Sequence, residues 1–461
     1  MPSTTFDRCL ADAPLSRRVI PAAVVASLAI VFDGYDLQSL SYALPKIIAT
    51  WHLSSVQAGL LASYTFLALF IGAVLLGVVG DRWGRKRALV LGTVIFALFL
   101  GSAGFAQNYA EFAILRFAGG IGMGGVLPGA IGIVTEYLPA RVRARVTALA
   151  AGCFTLGFVV AAVLAMAIVP AHGWRPMFTL SYLGLVVAAL AALLVSESPR
   201  YLASKGRYAD ALAVIKRIYP AIWPAAQGAA PEEFFASEQA PAARQPIKAL
   251  WGRMYRQATI TISLLYFFLQ FVVYALDFWL VSLLVDHGFS LVHSYSYGIE
   301  QAAAATLGGL VLGLILDRVN HRIGLAVIFI AGGICLIFFG IAPSAVELYI
   351  LNALCGALIV GGQNVVHILV MDTYGSDVRA TGLGWALGIG RIGGILGPLL
   401  GGYLLSLRLP FPAYFVTFAI PAVLAAVCII TLRSKPGGPV AMMAAASPGA
   451  MAEEAVARRP D

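Results

Sequence analysis

Charged residues are scarce in this chain, and the scarcity limits the class of protein it can be. Of its 461 residues, 11% are Asp, Glu, Lys or Arg, and 60% are hydrophobic. An ordinary soluble domain carries about 25% charged residues. A chain this long with so few charges cannot cover a water-facing surface. That excludes a soluble enzyme, a disordered protein and a soluble nucleic-acid-binding protein, and it indicates a polytopic membrane protein.

Cysteine is sparse as well, and its spacing excludes two further classes. Five cysteines are present, and none shows a CxxC pair or the spacing of a metal site. The four in apolar stretches are Cys153, Cys335, Cys355 and Cys428. We expect them to be small buried hydrophobes. The loops carry no nucleophile–base pair and no metal-ligand constellation, so the sequence predicts neither an enzyme nor a bound cofactor or metal.

Long apolar runs are what the sequence does have. A helix needs about 20 apolar residues to cross a bilayer, and twelve runs are long enough. They cover residues 19–44, 55–79, 87–106, 111–137, 145–169, 175–195, 257–285, 296–316, 323–342, 346–371, 379–406 and 411–432. The glycines and prolines inside them are compatible with membrane helices, because neighbouring helices re-satisfy the backbone. The sequence therefore predicts an all-α membrane protein with twelve transmembrane helices.

Basic residues are distributed unevenly between the two sets of loops. One set comprises both tails and alternate loops, and it holds 26 of the 31 Lys and Arg residues. The other set holds Lys46, Arg175 and Arg408. The positive-inside rule then predicts that both termini lie in the cytoplasm. We expect the membrane to be a bacterial-type inner membrane. The formal net charge of +9 is by this interpretation a topology signal and not a nucleic-acid-binding patch.

The apolar runs and the segments outside them predict five consecutive parts of the chain. The predicted parts are an N-terminal tail (1–18), a six-helix bundle (19–196), a cytoplasmic linker (197–256), a second six-helix bundle (257–432) and a C-terminal tail (433–461). In the linker, a short amphipathic helix is expected near Arg207–Ile218. The Ala/Pro-rich stretch from Pro220 to Pro246 is expected to be loosely ordered, and the C-terminal tail disordered.

Matching residues of the two halves are separated by one constant number of positions along the chain. We call this separation the repeat offset, and it equals the distance in sequence from Gly77 to Gly313. The other positions that coincide at this offset are Asp81-Arg82 with Asp317-Arg318, Glu136 with Asp372, Arg143 with Arg379, Gly152 with Gly388, and Gly157 with Gly393. One offset aligns two polar loops and the fifth helix of each half, which chance matching of glycines does not explain. Repeated bundles of this kind pack around a central cavity with the substrate site near the bilayer midplane. The repeat therefore predicts an alternating-access carrier.

Three motifs resemble those of the major facilitator superfamily. They are Gly77-Val-Val-Gly-Asp81-Arg82-Trp-Gly84-Arg85-Lys86 after helix two, Arg116-Phe-Ala-Gly-Gly120-Ile-Gly122-Met-Gly124 in helix four, and Ser196-Glu-Ser-Pro199-Arg200 after helix six. Two further segments resemble the aromatic acid/proton symporter family. They are Asp33-Gly34-Tyr35-Asp36 in helix one and the stretch from Arg379 through Trp385 and Arg391 to Pro398 in helix eleven.

These resemblances imply a function, and the residues leave others open. The implied function is import of a small aromatic carboxylate, of the benzoate or hydroxybenzoate class, driven by a proton gradient. The resemblance also implies that the chain works as a monomer. Alternatives are a proton symporter of another organic acid or of a sugar-like metabolite, since Glu197-Ser-Pro199-Arg200 is shared with sugar carriers. An exporter of drugs or aromatic compounds, and a sensor that binds without transport, also remain possible.

Charged residues inside the apolar runs are the strongest site candidates, because a charge in lipid is costly unless it is paired or faces water. Asp33 and Asp36 share one helix face. Helix four runs in the opposite direction, which puts Arg116 at a matching depth. A carboxylate that exchanges an arginine partner for a proton is a proton-coupling device. The alternative is a static ion pair holding helices one and four together.

Arg391 and Asp277 are the candidates near the midplane of the second half. The planar guanidinium of Arg391 matches a carboxylate, so we expect it to anchor the substrate anion. The alternative is a structural partner for Asp277, which lies at a similar depth. The resembling family usually has a neutral polar residue near this point, and Asp277 departs from it. The departure indicates a second protonatable site or a different ligand.

Aromatic and polar side chains near the midplane are the remaining candidates for the binding site. Rings could stack on an aromatic substrate, and the candidates are Tyr64, Phe66, Phe154, Tyr274 and Trp385. Polar groups of helix ten are expected to face the cavity, because lipid would reject them. These are Gln363, Asn364 and His367, the last of which is more readily explained as hydrogen-bonded structure than as a proton relay.

Charged residues of the loops form a predicted cytoplasmic latch. Asp81 could cap a helix end and pair with an arginine of the neighbouring bundle, holding the outward-open state. The residues assigned to this latch are Asp81, Arg82, Arg85, Glu136 and Arg143 in the first half, and Asp317, Arg318, Asp372 and Arg379 in the second.

Overall fold

A computed structural model describes residues 5–227, 230–235, 247–375 and 378–432. Within these ranges the chain is helical and contains twelve helices long and apolar enough to cross a membrane. They are α1 (Ile20–Trp51), α2 (Ser55–Trp83), α3 (Arg85–Ala103), α4 (Tyr109–Tyr137), α5 (Ala140–His172), α6 (Arg175–Leu194), α7 (Arg256–Asp286), α8 (Leu291–Leu316), α9 (His321–Ile341), α10 (Ala345–Thr373), α11 (Arg379–Ser406) and α12 (Phe411–Thr431). The predicted fold class of a twelve-helix membrane protein is confirmed.

Local signals in the sequence set where these helices begin and end. α1 ends at Trp51, and the next residue, His52, adopts the left-handed conformation with φ of 50°. α2 then begins with a capping box, in which the Ser54 hydroxyl accepts the Gln57 N–H at 3.2 Å. The side chain of Asn108 caps α4 by accepting the Glu111 N–H at 2.9 Å. These caps satisfy backbone donors that a turn near the membrane surface would otherwise leave unpaired.

The internal repeat seen in the sequence is present in the helix packing. In the first half, a Cβ on Gly157 of α5 would lie 2.2 Å from the carbonyl oxygen of Val31 in α1. In the second half, a Cβ on Gly393 of α11 would lie 2.1 Å from the carbonyl oxygen of Phe267 in α7. Gly393 follows Gly157 by the repeat offset, and Phe267 follows Val31 by the same offset. Glycine lets the paired backbones approach this closely, as is common between membrane helices.

A second crossing repeats in the same way between α2 and α4 and between α8 and α10. Gly72 packs on Ile121, and at the same repeat offset Gly308 packs on Ala357. α10 then contains a π-helical segment, Gly356–Val360, which has no counterpart in α4. After this segment, Gly361 packs on α8 in the way that Gly124 packs on α2 in the first half. Gly361 lies one position further along the chain than the repeat offset from Gly124 would give. The π-helical turn therefore accommodates one additional residue in α10.

The two halves meet at one end of the bundle and separate toward the other. The terminal face is the end that carries the N-terminal helix Phe6–Asp12 and the linker, and the opposite face is the other end. Contacts between α2 and α11 begin near the opposite face and continue to the midplane. They join Ser55 to Gly402, Gly59 to Pro398, Ser63 to Ile395 and Leu69 to Arg391. Toward the terminal face, Cβ atoms added at Gly77, Gly384 and Gly388 would meet no neighbour within 4 Å.

The N-terminal tail and the linker pack together at the terminal face. The linker contains the expected amphipathic helix, Tyr208–Ile218. Beyond it are two short helices, Trp223–Gln227 and Pro231–Phe234. The expectation of a loosely ordered stretch is therefore wrong for these segments, because the Phe234 ring is fully buried against Phe6. The rest of that stretch, 228–229 and 236–246, and the tail from 433 lie outside the described residues.

Polar contacts hold the tail and the linker together and join the linker to the first bundle. Arg200 of the linker forms an ion pair with Asp7 at 2.6 Å. The Tyr219 hydroxyl donates to the carbonyl of Tyr137 at the end of α4. Burial raises the pKa of Tyr219 to about 12, so this phenol stays protonated and remains a donor at neutral pH.

Candidate functional site

A cavity of about 670 Å³, partly open to solvent, lies between the two halves. Its walls come from α1, α5, α7, α8 and α10, so both repeats contribute. The polar lining consists of Gln38, Tyr42, Thr155, Tyr274, Asp277, Gln301, Gln363 and Asn364. Phe154 and Phe158, whose ring centroids are 5.1 Å apart, form an aromatic wall on the first half. A lining of apolar surface with a few polar groups is typical of a small-molecule site.

A second cavity of about 340 Å³ adjoins the first. The two share Gln38, Phe158, Tyr274 and Asp277 as lining residues. The smaller cavity is otherwise mainly apolar, and it includes Arg116 and Thr65 among its polar residues. Asp277 therefore lies where the two spaces meet.

Tyr274 lies at the centre of the charged groups of the midplane. It is within electrostatic range of Asp277, Arg391 and Asp33. Its ring packs on Phe66 of the other half, with centroids 4.2 Å apart. One tyrosine of α7 therefore connects three of the charged residues that the sequence singled out.

Arg391 lies where α2 and α11 begin to separate. Its Nη1 donates to the main-chain carbonyl of Leu69 at 3.1 Å, across the interface between the halves. Its other guanidinium nitrogens have no hydrogen-bond partner among the described residues, and they are not sealed from solvent. The carboxylate within its electrostatic range is Asp33, together with the phenol of Tyr274. A pairing with Asp277, the alternative left open by the sequence, is not found among the described residues.

Asp33 is a buried carboxylate with an unfilled hydrogen-bonding capacity. Its side chain is 2% exposed, and its Oδ1 has no partner within the described part of the chain. The opposite charge that acts on it is Arg391 of the second half, and the like charge is Asp36. A buried carboxylate without hydrogen bonds is costly in its charged form. Asp33 therefore depends on Arg391 or on a proton for neutralisation.

Asp36 and Arg116 form a separate arrangement within the first half. The Asp36 carboxylate is hydrogen-bonded to the Ser181 hydroxyl of α6. Arg116 is fully buried, and its Nη1 donates to the main-chain carbonyl of Asp36 at 3.1 Å. Its guanidinium also lies 5.5 Å from the centroid of the Phe178 ring. Arg116 thus reaches helix one as expected: it donates to the backbone there, and its charge acts on the Asp36 carboxylate without an ion pair among the described residues.

The structure distributes the other predicted binding residues between the cavity wall and the surrounding packing. Phe154, Gln363 and Asn364 line the larger cavity. Trp385 lies elsewhere, donating from Nε1 to Ser263 at 3.1 Å and packing on Trp251. Tyr64 does not line either cavity.

His367 is hydrogen-bonded structure. Its Nδ1 lies 2.6 Å from the Tyr266 hydroxyl. It lines neither cavity.

Sequence reasoning missed several lining residues, among them Gln38, Tyr42, Phe158 and Gln301. Gln38 had a usable signal, because it is an uncharged polar residue two positions after Asp36 in an apolar run. Tyr42 and Phe158 had none, since the chain contains 18 Tyr and 25 Phe. Within the described residues, no cluster of His, Cys, Asp and Glu could hold a metal ion.

The predicted latch residues form ion pairs within each half. Arg85 at the start of α3 pairs with Glu136 of α4 at 2.6 Å. His321 at the start of α9 pairs with Asp372 of α10 at 2.7 Å. The repeat offset relates these two pairs, with His in the second half where the first has Arg.

Within the described part of the chain, the other predicted latch residues have no such ion-pair partner. Asp81, Arg82, Asp317 and Arg318 are exposed. Arg143 donates to the carbonyl of Leu138 at 3.2 Å, and the Nε of Arg379 is buried without a partner among the described residues. In this conformation the latch does not join the two halves through Asp81.

Curated proteins with similar sequences are membrane carriers. The chain is 31% identical over 429 residues to the benzoate transport protein of Acinetobacter baylyi, covering 92% of this chain and 90% of that protein. It is 32% identical over 416 residues to the gallate transporter of Pseudomonas putida, covering 88% and 90%. It is 30% identical over 423 residues to the 4-hydroxybenzoate transporter PcaK of Acinetobacter baylyi, covering 91% and 92%.

Solved structures with similar folds are also transporters. A partially occluded, inward-open structure of the xylose transporter XylE from E. coli aligns with a TM-score of 0.71 at 16% identity, covering 92% of this chain and 99% of that one. A bacterial homologue of the human lysosomal transporter Spinster, inward-facing and occupied, aligns with a TM-score of 0.73 at 18% identity, covering 92% and 100%. The family model described as Major Facilitator Superfamily matches residues 26–345 and 296–445. The chain therefore belongs to the Major Facilitator Superfamily and is a multi-pass membrane transporter, not an enzyme.

Proposed function

We propose that this protein imports a small aromatic carboxylate together with a proton across the bacterial inner membrane, by alternating access. The observation that carries the proposal is the position of Arg391. Its guanidinium contacts Leu69 of the first half, and its charge acts on Asp33 of that half and on Tyr274, which lines both cavities, although Arg391 itself lies outside both linings. The similarity to carriers named for benzoate, gallate and 4-hydroxybenzoate supports the choice of substrate class.

Arg391 is the proposed anchor for the substrate carboxylate. Its guanidinium uses Nη1 on the Leu69 carbonyl, and its other nitrogens have no hydrogen-bond partner among the described residues. A planar fork of donors binds a carboxylate more specifically than a point charge does. Arg116 is a weaker candidate, because it is fully buried and committed to the backbone of α1.

Asp33 is the proposed proton carrier. When the carboxylate is charged, Arg391 is the opposite charge available to it. When a proton neutralises it, the guanidinium is free to bind the substrate anion. Substrate and proton then enter the site together, and the charge of the buried site does not change. Asp36 and Arg116, in this proposal, hold α1 against α4 and α6.

The aromatic ring of the substrate is proposed to lie against Tyr274 and the wall formed by Phe154 and Phe158. Ring pairs of this kind contribute about 0.5–1.5 kcal/mol beyond the area they bury. Gln363 and Asn364 would contact the polar edge of the substrate. Trp385 has no place in this site, since it packs on Trp251.

The separated ends of the two halves are proposed to face the cytoplasm. The excess of Lys and Arg in the tails and alternate loops supports this orientation. The conformation described above is then inward-open. Asp81 is exposed in it and would join the other half in the outward-open state, in which the terminal face closes.

Proton movement with the substrate tests this proposal. The purified protein in liposomes that enclose a pH-sensitive dye should acidify the lumen when 4-hydroxybenzoate is added outside, and Asp33→Asn should abolish the signal. Acidification by xylose or by an aliphatic acid, without a response to aromatic acids, would favour the other symporters. Substrate efflux driven by an inward proton gradient would favour an exporter, and binding without flux would favour a sensor.

A further inference from the structure

Asp277 is held in place by its backbone and leaves its carboxylate free. Its main-chain carbonyl accepts hydrogen bonds from the Ser41 hydroxyl at 2.7 Å and from Nε2 of Gln38 at 3.4 Å. Ser41 is also its counterpart in the first half at the repeat offset. The carboxylate oxygens have no hydrogen-bond partner within the described part of the chain, and they are not sealed from solvent. The side chain lines both cavities.

A second acceptor without a donor lies in the wall of the same cavity. Nε2 of Gln363 donates to Oε1 of Gln270 at 2.8 Å, which fixes the orientation of the amide. The remaining Oε1 of Gln363 is buried, with no partner among the described residues. A buried acceptor left unpaired costs about 1–3 kcal/mol. Two oxygen groups without a donor among the described residues therefore border the larger cavity: the Asp277 carboxylate, which is open to it, and Oε1 of Gln363, which is shielded from solvent in this conformation.

The charge distribution along the cavity is asymmetric. Among the residues that line the larger cavity, Asp277 is the charged one, and it lies one helical turn along α7 from Tyr274, whereas Arg391 acts on Tyr274 from outside both linings. A plain benzoate ion offers acceptors alone, which suit Arg391 but repel Asp277. A benzoate that also carries a hydroxyl or amino group offers a donor for the second position.

We propose that Asp277 and Gln363 select aromatic carboxylates whose ring carries a hydrogen-bond donor, a hydroxyl or an amino group, on the side away from the carboxylate. This inference rests on the proposed function, because it takes the carboxylate to be at Arg391. It assigns Asp277 a role in specificity and leaves proton coupling to Asp33. A site built to bind a hydroxyl rejects the analogue that lacks it, because the buried acceptor is then unpaired.

The test compares ring substituents of similar size in liposomes containing the full-length protein. The probes are 4-hydroxybenzoate, 4-aminobenzoate, 4-methylbenzoate and benzoate, each measured by counterflow at several concentrations. Wild type should prefer the hydroxy and amino compounds over the methyl compound by roughly tenfold or more. Equal transport of the methyl and hydroxy compounds would overturn the inference and leave the proposed function standing. Transport of none of them would instead contradict the proposed function.

Two substitutions at Asp277 separate acceptance of a hydrogen bond from carriage of a proton. Asp277→Leu removes both oxygens and should shift the preference toward 4-methylbenzoate, while Asp277→Asn keeps one acceptor and should keep the preference for 4-hydroxybenzoate. Asp286→Leu, on the same helix and outside the cavities, is the matched control. If Asp277→Leu keeps the wild-type preference, the inference is contradicted. It is also contradicted if Asp277→Asn loses gradient-driven uptake while its selectivity stays intact. Size-exclusion profiles establish folding, and Asp277→Asn alone decides if Asp277→Leu does not fold.

Discussion

Arg391 donates a hydrogen bond over 3.1 Å to the main-chain carbonyl of Leu69 in the other half of the molecule. The contact lies where α2 and α11 begin to diverge. Closure of the terminal face would change the angle at this point. If Arg391 binds the substrate anion as proposed, the same side chain would then contact both the substrate and the other half of the molecule.

Replacement of Arg391 should weaken substrate binding strongly. Arg391→Ala removes charge-assisted hydrogen bonds worth about 1.5–3 kcal/mol each, so KM for counterflow of 4-hydroxybenzoate should rise by roughly ten- to a hundredfold. Arg391→Lys keeps the charge without the fork and should be intermediate. Equal KM values in wild type and Arg391→Ala, with the protein shown to be folded, would rule out Arg391 as the anchor.

The two aspartates of α1 should respond differently to the same substitution. Asp33→Asn should abolish accumulation driven by a proton gradient while retaining substrate exchange, because the partner of Arg391 no longer titrates. Asp36→Asn keeps an acceptor for the Ser181 hydroxyl but removes the negative charge that acts on buried Arg116, so it should lower the free energy of unfolding by about 1–3 kcal/mol while retaining coupling. Uptake with and without the gradient, together with thermal unfolding, distinguishes them. The reverse pattern would assign proton coupling to Asp36.

Glycine substitutions test the repeated helix crossing. Gly393→Ala would bring a Cβ to 2.1 Å from the Phe267 carbonyl oxygen, so α7 and α11 must separate, at an expected cost of about 1–3 kcal/mol or more. Gly388→Ala, one and a half turns earlier on the same helix, meets no atom within 4 Å and should be tolerated. Thermal unfolding in detergent measures both. Equal destabilisation would show that the close crossing is not what requires Gly393.

Asp81 should affect the rate of conversion between the inward-open and outward-open states more than the stability of the conformation described here. It is exposed here and lies outside the ion pair between Arg85 and Glu136. Asp81→Asn should therefore leave the unfolding midpoint close to wild type while slowing counterflow, because the outward-open state loses its latch. Glu136→Gln, which breaks an existing pair, should instead reduce stability by up to about 1 kcal/mol. A large loss of stability in Asp81→Asn would contradict this role.

The fold and the repeat could be predicted because they depend on periodic features. Apolar runs of membrane-spanning length predicted the helices. Gly157 and Gly393 are related by the repeat offset in the sequence, and the helix crossings that they form are related by the same offset. The π-helical segment Gly356–Val360 could not be predicted. It results from one additional residue in an apolar helix, and an apolar run looks the same with or without it.

The pairing of the buried charges could be predicted less well. Counting residues along a helix gives the depth of a side chain but not the direction in which it points. Depth alone allowed Arg391 to meet Asp277, whereas the structure places Asp33 in its range. Contacts between the halves also depend on the conformational state, which no local pattern in the sequence reports. Trp385 illustrates the same limit, since the family resemblance favoured the cavity but its indole bonds to Ser263.

The most direct test of the central claim is uptake of labelled 4-hydroxybenzoate into liposomes under an inward proton gradient. Wild type should accumulate the acid above its external concentration, and dissipation of the gradient should return it to equilibrium. Asp33→Asn should reach equilibrium without accumulation, and Arg391→Ala should show little uptake at the same concentration. Accumulation that persists without a proton gradient, or that both variants retain, would contradict proton-coupled carriage through Asp33 and Arg391.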